Sequence, residues 1–251
     1  MVAFALAAAL CLAATCANAQ NAVPKIWDSN ANGWFMYLGD HRVRGKWGLH
    51  LEGQWRRHDV ITNWQQLLLR PAVNYQLNPN WMLTAGYAYV KTHPYGAHPI
   101  NHPFPEHRLY QQLLVKQRAG TTRLQHRFRL EQRFLGQMIP GQGRAPQLDH
   151  WRYQNRFRQF IKAEVPLARK GEKSPWYAAF YNEIFFNFAP KSAVSVFDQN
   201  RAYAALGHEL GKTGKIEIGY LNQLLARRRG ALIESNHTLQ VTIFSNLAFG
   251  K

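Results

Sequence analysis

The chain has 251 residues, 46% of them hydrophobic and 13% aromatic, and a formal net charge of +17 at pH 7. Both of its cysteines, Cys11 and Cys16, fall within the first twenty residues, which excludes a disulfide scaffold, a Cys-ligated zinc site and a cysteine nucleophile from the rest of the protein. A positive balance of this size attracts anions, so nucleic acid, lipopolysaccharide and acidic solutes are the partner classes to weigh.

The first segment, MVAFALAAALCLAATCANAQ, is an uncharged apolar run with the small-x-small sequence Ala17-Asn18-Ala19 before Gln20. That is the pattern of a secretory cleavage site. The run is too short for a spanning helix, and no later segment approaches about 18 consecutive apolar residues. Residues 1–19 are expected to be a signal peptide, 20–33 an N-terminal segment holding a candidate first strand, and 34–249 a single barrel.

From Trp34 onward the sequence resolves at period two into long segments with one apolar and one polar face. Trp34–Arg42 opens the series. In KWGLHLEGQWR, Trp47, Leu49, Leu51 and Trp55 alternate with His50, Glu52, Gln54 and Arg56. Leu67, Leu69, Val73 and Tyr75 then oppose Gln66, Arg70, Asn74 and Gln76, and Trp81–Val90 carries Leu83, Ala85, Tyr87 and Tyr89 on one side. Glu106–Lys116 sets Leu109, Leu113 and Val115 against Glu106, Arg108, Tyr110, Gln112 and Lys116.

Next comes TTRLQHRFRLEQRF, where Arg123, Arg127, Arg129, Glu131 and Arg133 alternate with Leu124, Phe128, Leu130 and Phe134. Trp151–Glu164 repeats the theme with Tyr153, Phe157 and Ile161 against Arg152, Arg156, Arg158, Lys162 and Glu164. Segments at Trp176–Phe188, Arg201–Leu210, Lys215–Leu224 and Glu234–Phe249 complete a set of eleven. Short turns such as Asn78-Pro79-Asn80 and Ala119-Gly120-Thr121 alternate with longer connections at 91–105, 136–150, 189–199 and 225–233.

Segment length separates a soluble from a membrane β protein. Soluble strands average about 5–6 residues, whereas a transmembrane strand needs about 9–11. Outer-membrane barrels also alternate short turns with long loops. Trp34, Trp47, Trp55, Trp64, Trp81, Trp151 and Trp176 sit at or near segment ends, where an aromatic girdle would meet lipid headgroups. The expectation is one antiparallel transmembrane barrel in the outer membrane of a Gram-negative bacterium. Single-chain bacterial barrels normally have even strand numbers, so twelve strands are expected, the extra one near Lys25–Asn32. Ten is the alternative if a terminal segment is not a membrane strand.

In such a barrel the arginine-bearing face turns to the interior. Seven glutamates share the inward faces: Glu52, Glu106, Glu131, Glu164, Glu183, Glu209 and Glu217. So do eleven arginines: Arg56, Arg70, Arg108, Arg123, Arg127, Arg129, Arg133, Arg152, Arg156, Arg158 and Arg201. No aspartate is expected among them. Two readings of this network stay open, a ladder that fills and braces the barrel and a basic lumen that favours anionic solutes. Nucleic acid is excluded as a partner, because an exported barrel offers it no exposed basic patch. Lipid and lipopolysaccharide outside, and the barrel-assembly machinery during insertion, are the expected partners.

The segments WGLHLEGQWR, LLRPAVNYQLNPNWMLTAGYAYV, EHRLYQQL, RLQHRFRLEQRF, YQNRFRQFIKAEVPL, YNEIFFNF, FDQNRAYAALGHEL and IEIGYLNQ occur in order between Trp34 and Phe249. Together they resemble domain of unknown function 2490, a family of uncharacterised outer-membrane β-barrels. The resemblance implies secretion and a barrel, and no catalytic residue.

Two side-chain groupings remain. His93, His98, His102 and His107 crowd one proline-rich stretch; converging imidazoles can bind zinc or copper, but these spacings match no metal motif, and no metal or other cofactor is expected. Ser235 and His237 share the predicted lipid-facing side, where a lipid-modifying esterase could attack an ester. No orienting acid accompanies them, since Glu234 points the other way, and a non-enzymatic barrel is the preferred reading. Leu247 and Phe249 give the closing strand an apolar-x-aromatic ending, as in the C-terminal signal read by the assembly machinery. The facing of the arginine run is testable: Leu130→Arg should cost about 2–4 kcal/mol of folding stability in bilayers, and unaltered refolding into vesicles would reverse the face assignment.

Overall fold

The computed structural model describes residues 26–141, 143, 145–168, 174–188, 196–227 and 231–250, so the expected signal peptide lies outside the described residues. Eleven strands fill most of that length: β1 (Ile26–Arg44), β2 (Trp47–His58), β3 (Asn63–Asn78), β4 (Trp81–Thr92), β5 (Phe104–Ala119), β6 (Thr122–Ile139), β7 (Gln147–Pro166), β8 (Trp176–Phe188), β9 (Phe197–Leu210), β10 (Gly214–Arg227) and β11 (Leu232–Ser245). Their period-two alternation is the cause: each strand offers a continuous apolar face and a continuous polar one, which a helix would mix around its axis. Tight reversals separate them. Gly45 and Gly120 take positive φ values of 53° and 59°, the left-handed conformation that glycine adopts without a Cβ clash.

The sheet closes on itself, each strand antiparallel to the next. The ring is completed by a parallel pairing of β1 with β11, from Ile26↔Leu232 to Gly39↔Ser245. This corrects the expected count of twelve, and the alternative of ten. With eleven strands in strict up-and-down order, the first and last necessarily run the same way, and parallel bonding leaves no open edge. The stretch assigned to an extra strand is the beginning of β1, whose residues from Ile26 run without a break into Trp34 and beyond.

Followed once around the barrel, the pairing register returns to β1 displaced by about 14 residues, a shear that tilts the strands by about 41° and sets a backbone radius of about 11 Å. The connections 59–62 and 93–103 share one end, the loop end, with the start of β1; the reversals 45–46, 79–80, 120–121 and 211–213 share the other, the turn end. β11 stops at Ser245, four residues short of the expected closing segment. Phe249 instead leaves the strand, donates its N–H to the Arg42 carbonyl at 2.9 Å and stacks its ring on His41 at 4.0 Å.

The outer surface is mainly apolar around the barrel: Leu69, Val73, Leu109, Phe180, Ile218 and Tyr220 are all about half exposed, interrupted by the exposed amide pairs Gln111–Gln132 and Asn182–Asn200. Trp27, Trp55, Trp64 and Trp151 lie outward near the loop end, and Trp47, Trp81 and Trp176 near the turn end. Trp34, expected in a rim belt, is not there. Because β1 begins eight residues earlier than the hydrophobic pattern suggests, Trp34 falls in the middle of the strand and points inward, only 1% exposed.

The parallel closure makes a covalent prediction. Ala31 and His237 are register partners across the seam and both are solvent-facing, within the Cα separation a disulfide tolerates. Ala31→Cys with His237→Cys should cross-link on mild oxidation and shift on a non-reducing gel, while Ala31→Cys with Leu239→Cys should link far more slowly. Equal yields would reject this register.

Candidate functional site

The inward face of the barrel carries the chemistry. The run that alternates from Arg123 to Arg133 turns every arginine into the lumen, while Phe128 and Leu130 face out. The fourteen other charged positions of the expected inward faces also have inward parity, with Arg152 at the exposed loop-end rim. Three aspartates join them, contrary to expectation. Asp40 accepts from His50 Nδ1 at 2.8 Å and Asn74 Nδ2 at 2.7 Å, Asp198 accepts from Arg156 Nη1 at 2.8 Å, and Asp28 lies 3.6 Å from His98. Asp28 and Asp198 lie outside the segments whose alternation is visible in sequence, and Asp40 near the end of one.

Shared carboxylates bind the strands together. Near the loop end Glu106 is gripped by two guanidinium forks: Arg108 donates from Nε at 2.7 Å and Nη2 at 2.8 Å, Arg133 at 2.5 and 3.2 Å. Below it Glu131, fully buried, accepts from Arg156 Nε at 2.9 Å and Arg158 Nη1 at 2.7 Å. Glu183 accepts from Arg127 Nη2 and Arg158 Nη2, both at 2.7 Å. Toward the turn end Lys162 Nζ donates to Glu217 at 2.5 Å and Lys215 Nζ to Glu164 at 2.8 Å, and Arg123 spans Glu164 and Glu209. Charge-assisted, often forked, bonds of this kind are about twice as strong as neutral ones. Removing one partner of a buried pair costs about 3–5 kcal/mol, because it strands the other charge.

At mid-height the lattice changes character. The indole of Trp34 donates to Gln65 Oε1 at 2.8 Å, and the guanidinium carbons of Arg56 and Arg201 lie 3.9 and 4.9 Å from its ring centroid. Trp34, Gln54, Arg70, Arg158 and Arg201 border both of two cavities, about 240 Å³ toward the loop end and about 210 Å³ toward the turn end. They form a waist across the lumen. Phe185 strengthens it, carrying the guanidinium groups of Arg158 and Arg201 at 4.4 and 4.7 Å. Phe185 has the parity of Glu183 and Asn187, so the alternation places it inward, whereas the alternation visible in sequence begins at Trp34 and puts that residue at a rim.

The 93–103 connection folds against the loop end. Tyr95 donates to Glu234 Oε2 at 2.9 Å, and burial together with that carboxylate pushes its phenol well above the usual range. The four histidines of this stretch do not converge. His93 packs on Trp64, and burial with Lys91 and Arg57 nearby lowers its pKa; His98 is 3.6 Å from Asp28; His107 is on the outer face, bonded to the Tyr87 hydroxyl. No hydrogen bond or ion pair of His102 occurs among the described residues, and they contain no group of three His, Cys, Asp or Glu able to hold a metal. Ser235 and His237 face outward as expected, yet each is engaged elsewhere. Asn222 donates to Ser235 Oγ at 3.1 Å, and His237 Nδ1 is 2.6 Å from the Tyr220 hydroxyl. Glu234, on the adjacent inward position, is fully buried in the lumen.

Comparison with known proteins supplies a family and no activity. An uncharacterized protein of Methylorubrum extorquens is 30% identical over 197 residues, covering 77% of this chain and 78% of its own. No solved structure shows significant similarity. The family model for DUF2490, a protein of unknown function, matches residues 31–233. Matched over most of its barrel, from within β1 to the start of β11, the chain belongs to the DUF2490 family.

Proposed function

We propose that the protein is a passive outer-membrane barrel of a Gram-negative bacterium, exported by a cleaved signal peptide, with a narrow basic lumen that favours anionic solutes. The observation that carries this reading is the inverted distribution of polarity: buried guanidinium and carboxylate groups inside, half-exposed Leu, Val, Ile and aromatic groups outside. A water-soluble barrel would need the reverse. Exposed apolar patches on soluble monomers rarely exceed a few hundred Å², and here the patch encircles the molecule.

The dimensions agree. Trp47 and Trp55 lie on one strand, eight residues apart, which at the tilt derived above is about 20 Å along the barrel axis, close to the apolar band of about 25 Å between aromatic girdles. Lipid would cover this band, with lipopolysaccharide at the outer leaflet, and insertion would call on the barrel-assembly machinery.

Preference for anions follows from unequal charge. Arginine and lysine outnumber carboxylates around both cavities, and rings of fixed positive charge select anions. The Trp34 waist supports restricted passage, and the guanidinium–carboxylate lattice braces the wall around it. In planar bilayers under a KCl gradient, the reversal potential should therefore lie on the chloride side, with a small unitary conductance. Arg127→Gln with Arg129→Gln should move it toward zero, and Trp34→Ala should raise the conductance severalfold. A potassium-side reversal potential, or inserted folded protein that does not conduct even as Trp34→Ala, would overturn the reading.

A further inference from the structure

The loop-end cavity is bordered directly by eight arginines and by two carboxylates, Glu106 and Asp198. Behind its wall Glu52 pairs with Arg70, Glu131 with Arg156 and Arg158, and Glu234 with Arg227, so the charge left over is concentrated on Arg56 and Arg201. Both carboxylates of the loop-end cavity are already engaged by Arg108, Arg133 and Arg156. Arg56 is left with no ion pair among the described residues. Its acceptors are the amide oxygens of Gln54, at 2.8 Å from Nε, and Gln66, at 2.6 Å from Nη1. Yet it is 7% exposed, and Arg201, Arg108 and Arg70 repel it while Glu52 attracts it from a distance. Arg201 is little better served: Nε donates to Gln199 at 3.1 Å, and its nearest carboxylate, Glu183, is 3.6 Å away. Arg70 is paired with Glu52 through Nη1 at 2.5 Å, but its Nε is buried with no hydrogen-bond partner among the described residues.

A buried guanidinium without a counter-charge is unfavourable, and several together more so. An anion in the cavity would relieve them. The walls define its remaining shape. Trp34, Leu68, Ile100, Phe104 and Phe185 are among its lining residues, so part of the space is apolar. At about 240 Å³ the cavity is below the roughly 300–1,000 Å³ of drug-sized pockets, which limits the occupant to a small molecule.

We infer that the loop-end cavity is a binding site for a small organic anion, its carboxylate or phosphate held by Arg56 and Arg201 and its flat or apolar body placed against Trp34 and Phe185. This deepens the anion-favouring reading above and rests on it. Trp34 lies against both guanidinium groups, and the glutamine oxygens that accept from them carry no charge, so an anion would supply the counter-charge they lack.

The test is isothermal titration of the folded full-length barrel in detergent micelles with benzoate, and with benzylamine, which offers a similar ring with the opposite charge. Benzoate should bind saturably and raise the melting temperature, and benzylamine should do neither. Arg56→Gln with Arg201→Gln should weaken benzoate about tenfold or more, whereas Arg123→Gln at the turn end should leave it unchanged. If the double variant does not fold, the melting-temperature comparison in the native protein decides alone. Equal responses to the two compounds, or unchanged affinity in a folded double variant, would overturn the site. An inserted barrel that selects chloride but ignores benzoate loses the site and keeps the parent reading; one that selects potassium loses the parent reading, whatever the micelle titration gives.

Discussion

A guanidinium group inside a tube of about 11 Å radius cannot be hydrated as it would be in bulk water. Arginines reach roughly 6 Å from their Cα atoms, so side chains from facing walls meet near the axis. Every positive charge must then find an acceptor among the side chains of its own or another strand, and the lumen is organised by how that demand is met. Glu106 serves β5 and β6, Glu131 serves β7 from β6, Glu183 serves β6 and β7 from β8, and Glu217 ties β10 to β7 and to the Tyr177 hydroxyl on β8. Buried ion pairs of this kind add little net stability relative to a well-packed apolar core. Their effect is on register. A strand slipped by one residue would send its arginines outward among Leu and Phe side chains and leave the opposing glutamates unpaired.

The same demand extends to the backbone. An open sheet edge on this barrel would expose a row of unpaired N–H and C=O groups, and pairing β1 with β11 removes it. The parallel bond has a topological consequence: β1 begins at the loop end and β11 finishes at the turn end, so the two ends of the barrel wall lie on opposite sides. Even-stranded barrels bring them to the same side. The long start of β1 suits this arrangement. Asn30 and Asn32 on its inner face, and Ala31 and Gly33 on its outer face, present little bulk where β11 and the 59–62 turn approach.

Much of the fold was legible because each strand faces two environments of opposite polarity, and that difference writes itself into the sequence at every second position. The eleven segments and the inward arginines of β6 and β7 follow from it. The strand total did not, because the preference for even numbers describes how barrels usually close, whereas the physical requirement is only that no edge stays open. The start of β1 reads in sequence as a separate strand for a related reason: Asp28, Asn30 and Asn32 alternate with Ser29, Ala31 and Gly33, and neither face is hydrophobic enough to show that the period runs on into Trp34. Cutting the strand short there placed Trp34 at a rim. The partners within the lumen were beyond reach of sequence altogether. Arg123 on β6 meets Glu209 on β9, and Lys162 on β7 meets Glu217 on β10, contacts set by shear and radius, which no single strand encodes.

The two halves of the lumen differ in how completely they are neutralised, and that difference gives the barrel a direction. Around the turn-end cavity, Glu164, Glu217, Glu183, Glu52 and Asp40 are interleaved with the cations, so the field there is partly cancelled at short range. Around the loop-end cavity the acceptors for Arg56 and Arg201 are largely glutamine oxygens, which satisfy hydrogen bonds but carry no charge. On the proposed reading, the uncancelled charge of Arg56 and Arg201 would be felt toward the loop-end mouth, where low-dielectric walls concentrate a field. An anion approaching from the loop end would be drawn in as far as Trp34 and would find its counter-charges at that level, with a better-compensated region beyond. Glutamine in place of glutamate at these positions keeps the geometry of the lattice while leaving its charge incomplete, and that substitution pattern, more than the total of arginines, is what distinguishes a lumen able to receive an anion from one that has already neutralised itself.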